Sequence, residues 1–329
     1  MTGPVHQRGS ALLHRQRGAA LLIALLILAL VATAASSMVW HQQRAIEVET
    51  AERAQAQAVQ LLDGGVDFAR LLVRMAGAKV FQTNDNVVKL PDGRRAFQVA
   101  EMSVADMLQF DKDSSSGSTR NAFVDFEATD AQGRYNLRRL FGDDGKPVPA
   151  EVEGLRRLCD AAGAGTGTAD LLVSGLASAW YGSDDSGPVP PQRVEQLVWL
   201  GLDNATVQQL LPHLVILPVR TPVNANTATA AALTAAIDQL DRTTAQARLQ
   251  ALADKPVGRF DELKALFEGF TLDETRVTVE TRFIDVRARM RIEDRAVEER
   301  WLLERPTTAG NTSVQLLRRD RQVLLSPGG

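Results

Sequence analysis

The chain has 329 residues, with 37 Lys and Arg against 40 Asp and Glu, a formal net charge of −3 and only 5% aromatic residues. That balance excludes a general nucleic-acid or anionic-surface binder, which needs a basic excess to grip phosphate. A single cysteine, Cys159, excludes an intramolecular disulfide, and its thiol reads as a core residue rather than a nucleophile.

The first stretch carries Arg8, Arg15 and Arg17 and no acid; Gly18 closes it, and a charge-free run from Ala19 to Trp40 follows. About 22 residues at ~1.5 Å each make roughly 33 Å of helix, enough to cross a hydrocarbon core of about 30 Å. Leucine, isoleucine and alanine dominate the run, so its backbone is satisfied inside a helix without water. The positive-inside bias keeps the N-terminus cytoplasmic and sends the residues after Trp40 across the membrane. A basic leader, a glycine and an apolar helix resemble the type IV prepilin signature, which implies removal of the leader between Gly18 and Ala19 by a membrane peptidase. Two other readings of the segment stand beside it. One is a plain signal-anchor; the other is a secretory signal cut after Ala32-Thr33-Ala34.

From His41 to Ala76 there is no proline, and alanine, glutamine, glutamate and leucine prevail. Asp67, Phe68, Leu71, Leu72 and Met75 give an amphipathic stripe, interrupted by Gly64-Gly65, a predicted bend. The pattern predicts one helix of roughly 55 residues whose second half lies on a sheet. Ala96–Glu101 and Ala122–Glu127 read as short strands around a polar Asp111–Thr119 loop. Downstream, Ile284, Val286, Ala288, Met290 and Ile292 alternate with Asp285, Arg287, Arg289 and Arg291, a half-buried strand. Asp294-Arg295 turns it into Val297–Leu303, whose acids are placed to face the arginine row, and Ser313–Leu317 offers an edge strand.

Between these halves the texture is helical: Glu151–Ala162, Ala169–Trp180, Pro191–Leu200, Asn204–Leu211, Thr227–Leu240 and Arg259–Phe267, with Asp241–Val257 loosely assigned. Asn226 or Thr227 is the predicted N-cap of the Ala-rich helix. The predicted class is α+β: a long N-terminal helix packed on an antiparallel sheet, with a large inserted all-α domain. The expected divisions are 1–18, a leader that is removed; 19–40, the membrane span; 41–146, helix and first strands; 147–270, the inserted helices; and 271–329, the returning strands and tail.

Four motifs in order carry a specific resemblance. They are Arg15-Gln16-Arg17-Gly18-Ala19-Ala20-Leu21-Leu22, Ala128-Thr129-Asp130-Ala131-Gln132-Gly133-Arg134-Tyr135-Asn136-Leu137, Ile216-Leu217-Pro218 followed by Pro222-Val223-Asn224-Ala225-Asn226-Thr227-Ala228, and Thr281-Arg282-Phe283-Ile284-Asp285-Val286. Over nearly its whole length the chain resembles the K-type minor pseudopilins of the type II secretion system, also called general secretion pathway protein K. The resemblance implies the pseudopilin fold and a single-pass protein of the inner membrane with its head in the periplasm. Its implied partners are the I-type and J-type minor pseudopilins, the pseudopilus and the prepilin peptidase. Its implied role is to initiate the pseudopilus at its tip and support export of folded proteins across the outer membrane. Methylation of the Ala19 amine is implied as well, and no enzymatic activity is.

Ile23 stands where typical pilins carry a glutamate that pairs with a neighbouring subunit's N-terminal amine. A carboxylate in lipid is costly unless paired, and a subunit at the tip has no subunit above it, so an apolar residue fits there. Any transmembrane helix also accommodates isoleucine. The resemblance implies calcium in the inserted region, and the metal candidates are Asp184 and Asp185 in Gly182-Ser183-Asp184-Asp185-Ser186-Gly187. This loop is shorter than the family's, and paired aspartates also serve as solvated turn formers. A tip-type minor pilin of a type IV pilus is the alternative reading. A secreted helix-hairpin-helix DNA-binding protein is another, prompted by Asn224–Ala228. Against it, residues 188–270 hold seven Lys and Arg and eight Asp and Glu, net −1, with no Gly-x-Gly hairpin, so no nucleic-acid partner is expected.

Overall fold

The computed structural model describes residues 10–76, 87–89, 95–103, 122–182, 187–292, 295–305 and 313–324. Helix α1 spans Ser10–Ala76, 67 residues, and so begins before Ala19. It runs through Gly64-Gly65 without a break, where the sequence predicts a bend. Packing accounts for the second glycine. A Cβ on Gly65 would sit 3.3 Å from Trp301 and 3.5 Å from Phe126, so the missing side chain serves close approach rather than bending.

In chain order, β1 (Val87–Lys89), β2 (Arg95–Ser103) and β3 (Ala122–Asp130) follow α1, and β4 is the two-residue Tyr135–Asn136. Then come α2 (Pro149–Ala162), α3 (Thr168–Tyr181), a 3-10 turn at Val194–Leu200 and α4 (Asn204–Leu210). After β5 (Leu214–Val215) and β6 (Val223–Asn224) lie α5 (Ala230–Ala236), α6 (Arg242–Asp254), α7 (Phe260–Leu266) and β7 (Val277–Thr278). Three long strands close the chain: β8 (Phe283–Ile292), β9 (Arg295–Glu304) and β10 (Gln315–Leu324). They complete a six-stranded antiparallel sheet of order β1-β2-β3-β8-β9-β10. The helical stretch is thus inserted between two neighbouring strands, β3 and β8. Two short parallel pairs, β4–β5 and β6–β7, run through the insertion, where the sequence shows almost no strand signal.

Residues 1–57 and 58–329 are two compact units. In the second, α1 lays Leu62, Val66, Ala69 and Val73 on the sheet, a buried i, i+4, i+7, i+11 stripe. Strand alternation supplies its partners: Val124 and Phe126 of β3, Ala288 and Met290 of β8, and Val297 and Trp301 of β9 are all buried. Phe126 is the ring at the centre, 5.4 Å from Phe68 and 6.2 Å from Trp301. The opposite face of the same strands reads Glu127, Arg287 and Arg300 in one row and Asp125, Arg289 and Glu298 in the next.

The hairpin register corrects one expectation. Glu298 does oppose Arg289, but Glu299 lies on the α1 face, 0% exposed, held by Arg319 and Arg321 of β10 and by the Trp301 indole at 2.8 Å. Burial pushes the Glu299 carboxyl up, these donors outweigh it, and the carboxyl sits below its ordinary range. Arg295 already belongs to β9, opposite Ile292, while Asp294 lies outside the described residues. β10 is a ten-residue edge strand, longer than Ser313–Leu317 predicts, and bulged between Leu316 and Arg318.

The insertion has its own apolar core, from Tyr135 and Leu137 through Leu155, Leu158, Leu172, Leu176 and Leu233 to Phe267. Cys159 belongs to it, and burial first, then Asp160, pushes its thiol up to about 12. The Ala-rich helix is shorter than Thr227–Leu240 predicts because its N-cap is Thr229, whose hydroxyl accepts from the Ala232 N–H. Asn226 and Thr227 are engaged elsewhere: Asn226 exchanges bonds with Val257 in both directions, and Thr227 donates to Asp130. Pro191–Leu200 contains a 3-10 turn rather than an α-helix, and α6 fills the stretch left loosely assigned.

Candidate functional site

Gly18 and Ala19 lie within α1. Ile23 is 59% exposed on the same helix, in a row of exposed leucines and isoleucines. Among the described residues one helical segment, Leu21–Thr50, is long and apolar enough to cross a membrane. Two of its hydroxyls are satisfied within the helix: Thr33 donates to the Leu30 carbonyl and Ser36 to that of Ala32, each at 2.9 Å. Asp184 and Asp185 lie outside the described residues. Among the described residues no group of three or more His, Cys, Asp or Glu side chains is placed to hold a metal ion.

The motif residues come together where the insertion meets the sheet. Asp130 ends β3 and is 2% exposed. Its Oδ1 accepts from the Gln132 N–H at 2.8 Å, and its Oδ2 from Asn224 at 2.7 Å, Thr227 at 2.8 Å and Thr281 at 2.7 Å. One carboxylate therefore joins β3, the loop leading to α5 and the approach to β8. Burial pushes the Asp130 carboxyl up to about 6, against the pull of these four donors.

Each further motif position has a partner across the same joint. Gly133 is required by close approach: a Cβ there would lie 2.5 Å from the Thr227 carbonyl oxygen. Arg134 pairs with Asp285 of β8. Asn136 donates to the Val219 carbonyl at 2.7 Å and to Thr221, and accepts from the Leu217 and Arg138 N–H groups. The Gln132 amide oxygen accepts from the Arg282 and Phe283 N–H groups, which fixes the start of β8, and its nitrogen donates to the Pro222 carbonyl. The apolar content of the joint is small: Ala131, Val215, Leu217, Phe283 and Leu302.

A second polar cluster lies inside the insertion. The Tyr135 hydroxyl donates to Glu151 at 2.7 Å, and burial first, then the Glu151 charge, holds that phenol well above its ordinary range. Glu151 also binds Arg139 at 2.5 Å and Arg276 at 3.3 Å. Arg276 and Arg157 share Asp238 at 3.0 and 2.8 Å and donate to the last carbonyls of α5, at Ala235 and Thr234. Glu151 was detectable in the sequence, because it falls on the apolar stripe of α2 with Leu155, Leu158 and Cys159. Glu299 was detectable in the same way, sharing strand parity with Val297 and Trp301. Gln132, Asp238 and Arg276 carry no such signal.

A cleft of about 250 Å³ opens between the outer sheet face and residues 192–195 and 211–216. Its walls carry five arginines, 134, 193, 287, 300 and 318, and five acids, Glu127, Glu195, Asp285, Glu298 and Asp320. The five arginines pair with four of the acids, among them Arg193 with Asp320 at 2.9 Å, Arg287 with Glu127 at 2.9 Å and Arg300 with Glu298 at 3.1 Å. Such a cleft is an internally neutral seam between insertion and sheet. No nucleophile, general base or metal-ligand constellation accompanies it among the described residues.

The architecture that emerges is a long helix on an antiparallel sheet with a helical insertion between β3 and β8, the pseudopilin fold implied by the motifs. Among solved structures it is similar to a chain in the crystal structure of the GspK-GspI-GspJ complex from the type 2 secretion system of enterotoxigenic Escherichia coli. The two are 18% identical, with a TM-score of 0.52 over 82% of this chain and 98% of that one. No family model matches the chain, and no curated protein matches it in sequence.

Proposed function

We propose that this chain is a K-type minor pseudopilin of a type II secretion system, placed at the tip of the pseudopilus, where it starts assembly and supports export of folded proteins. The observation that carries the reading is the fold likeness over 98% of a chain from the GspK-GspI-GspJ complex. The apolar Leu21–Thr50 segment supports an inner-membrane anchor, and the exposed Ile23 supports a tip position that lacks the usual acid. On this reading the head is periplasmic, the prepilin peptidase cuts after Gly18, and the Ala19 amine is methylated. The work of the protein is assembly through its surface, not chemistry. Calcium at Asp184 and Asp185 belongs to this proposal as well.

Co-expression of the full chain with I-type and J-type minor pseudopilins tests the assignment. Co-purification with both is expected; retention of neither, with binding to type IV minor pilins instead, would move the chain to the type IV pilus. Processing gives a second check. Mass spectrometry should find a mature start at Ala19, and Gly18→Trp should leave the leader attached while the span still inserts. A start near Ala35 would sink the pilin reading.

A further inference from the structure

Leu21–Thr50 is 30 residues long, about 45 Å of helix against a hydrocarbon core of about 30 Å, so apolar length alone leaves open where the helix leaves the membrane. A side-chain cluster within it supplies a boundary. Trp40 is the single Trp, Tyr or Phe before Phe68, and Arg44 is the single Lys or Arg between Arg17 and Arg53. The two stand i, i+4 on α1, with the Arg44 guanidinium 5.4 Å from the centre of the indole. The His41 ring meets the indole edge-on, with 5.2 Å between ring centres. All three side chains are exposed, Trp40 at 55%. Of the acids that follow, Glu49 is held by Arg53 at 2.5 Å, whereas the described contact of Arg44 is the ring.

We propose that Trp40, His41 and Arg44 form a binding site for the phosphodiester of a membrane phospholipid, in the leaflet where α1 leaves the bilayer, and that this site sets the depth of the helix. The inference rests on the membrane-anchor reading of Leu21–Thr50. A run of about 33 Å from Ala19 puts the Trp40 indole at the edge of the hydrocarbon core, where an amphipathic ring is favoured. Arg44 then stands about 6 Å further along the axis, at headgroup level, and its planar fork matches two phosphate oxygens. The indole already holds the guanidinium in place, so less freedom is lost when phosphate binds. A His41 ring N–H adds a donor on the same side of the helix. Glu47, the first acid, lies about 10 Å beyond Trp40, on the water side of the phosphates.

The test uses the full chain in vesicles of phosphatidylcholine and phosphatidylglycerol, with the Trp40 signal taken as the fluorescence difference between the parent and Trp40→Phe. Lipids brominated close to the glycerol backbone should quench Trp40 more than lipids brominated at the chain end. Arg44→Gln, a change at an exposed helix position, should let the indole sink and cut its quenching by aqueous acrylamide at least about twofold, while Arg44→Lys keeps most of the parent value. In galactolipid vesicles, which carry no phosphate, the parent should behave like Arg44→Gln, and added inorganic phosphate should not restore it. Equal quenching of the parent and Arg44→Gln in phospholipid overturns the proposal. So does an Arg44→Gln effect that persists undiminished in galactolipid, or recovery there with inorganic phosphate. The anchor reading fails separately: extraction of the parent and Arg44→Gln alike by alkaline carbonate would remove the membrane span, whereas retention of both with no Arg44 effect removes only the phosphate site.

Discussion

The α1 face of the six-stranded sheet and the joint at the end of that sheet are held by different physics. On the α1 face the register brings apolar side chains together. There α1 delivers Leu62, Val66, Ala69 and Val73 onto Phe126 and Trp301, and the contact is apolar apart from the Glu299 knot. At the end of the sheet where β3 leaves and β8 enters, the insertion is joined through Asp130, Gln132, Asn136, Asn224 and Thr281, with only a five-residue apolar cluster beside them. An apolar face tolerates small shifts, because its attraction is non-directional and follows area. A polar joint holds one geometry, because every buried donor and acceptor left unmatched costs about 1–3 kcal/mol. A helical region inserted between neighbouring strands therefore keeps a fixed pose on the sheet.

The largest expected effect lies on the apolar face. Trp301→Ala removes the ring that contacts Phe126 and Gly65 and strips Glu299 of a donor, and should cost about 3–5 kcal/mol. Hydrogen exchange should rise first in the second half of α1 and in β9. Gly133→Ala strikes the joint instead, where backbone stands on both sides of a 2.5 Å approach and neither can yield by rotating a side chain. We expect about 3 kcal/mol, with exchange rising first in residues 223–237. Equal protection loss on the α1 face and at the joint in either variant would show that the two are not separable.

That contrast also explains what was legible beforehand. The α1 stripe and the β8 alternation follow from side-chain period alone, so Ile284, Val286, Ala288 and Met290 are readable as core without any fold in hand. The insertion was readable as a change of texture, and the membrane span as length and apolarity. The joint was visible only as a motif whose purpose no period reveals, since Asp130 and Thr281 are 151 positions apart and meet through β-sheet closure. Caps failed for the same reason. Asn226 and Thr227 have the right chemistry for capping, but tertiary partners claim them, and Thr229 takes the role. The short parallel pairs β4–β5 and β6–β7 are two residues long, below the length at which strand alternation has meaning.

Asp130 gives the joint a pH signature that the apolar face lacks. Its carboxyl sits at about 6 in the fold against an ordinary value of 3.8, so the folded chain holds that proton more firmly than the unfolded chain does. The stabilisation is fully present below about pH 4 and is lost as pH rises through 6, with a ceiling of about 3 kcal/mol. Glu299 and Asp238, held below their ordinary range, act in the opposite sense, but only as pH falls below about 4. Asp130→Asn keeps an acceptor, and its amide can donate to the Thr227 and Thr281 hydroxyls once these rotate. The parent should gain melting temperature between pH 7 and pH 5 relative to this variant. Parallel profiles for the two would remove Asp130 as the titrating group.

The smallest effect sharpens the comparison at adjacent residues. Gly64 and Gly65 share the helix, but a Cβ on Gly64 meets nothing within 4 Å, whereas one on Gly65 lies 3.3 Å from Trp301. Gly64→Ala should therefore stabilise the chain by about 0.5–1 kcal/mol, the gain of alanine over glycine in an exposed helix interior. Gly65→Ala receives the same helical gain and loses it to the tryptophan, which is packed against Phe126 and tied to Glu299 and so has little room to retreat. Thermal unfolding of the two single variants should separate them by at least the helical term. If Gly65→Ala stabilises as much as Gly64→Ala, the α1 face is softer than its contacts imply, and its contrast with the polar joint is larger still.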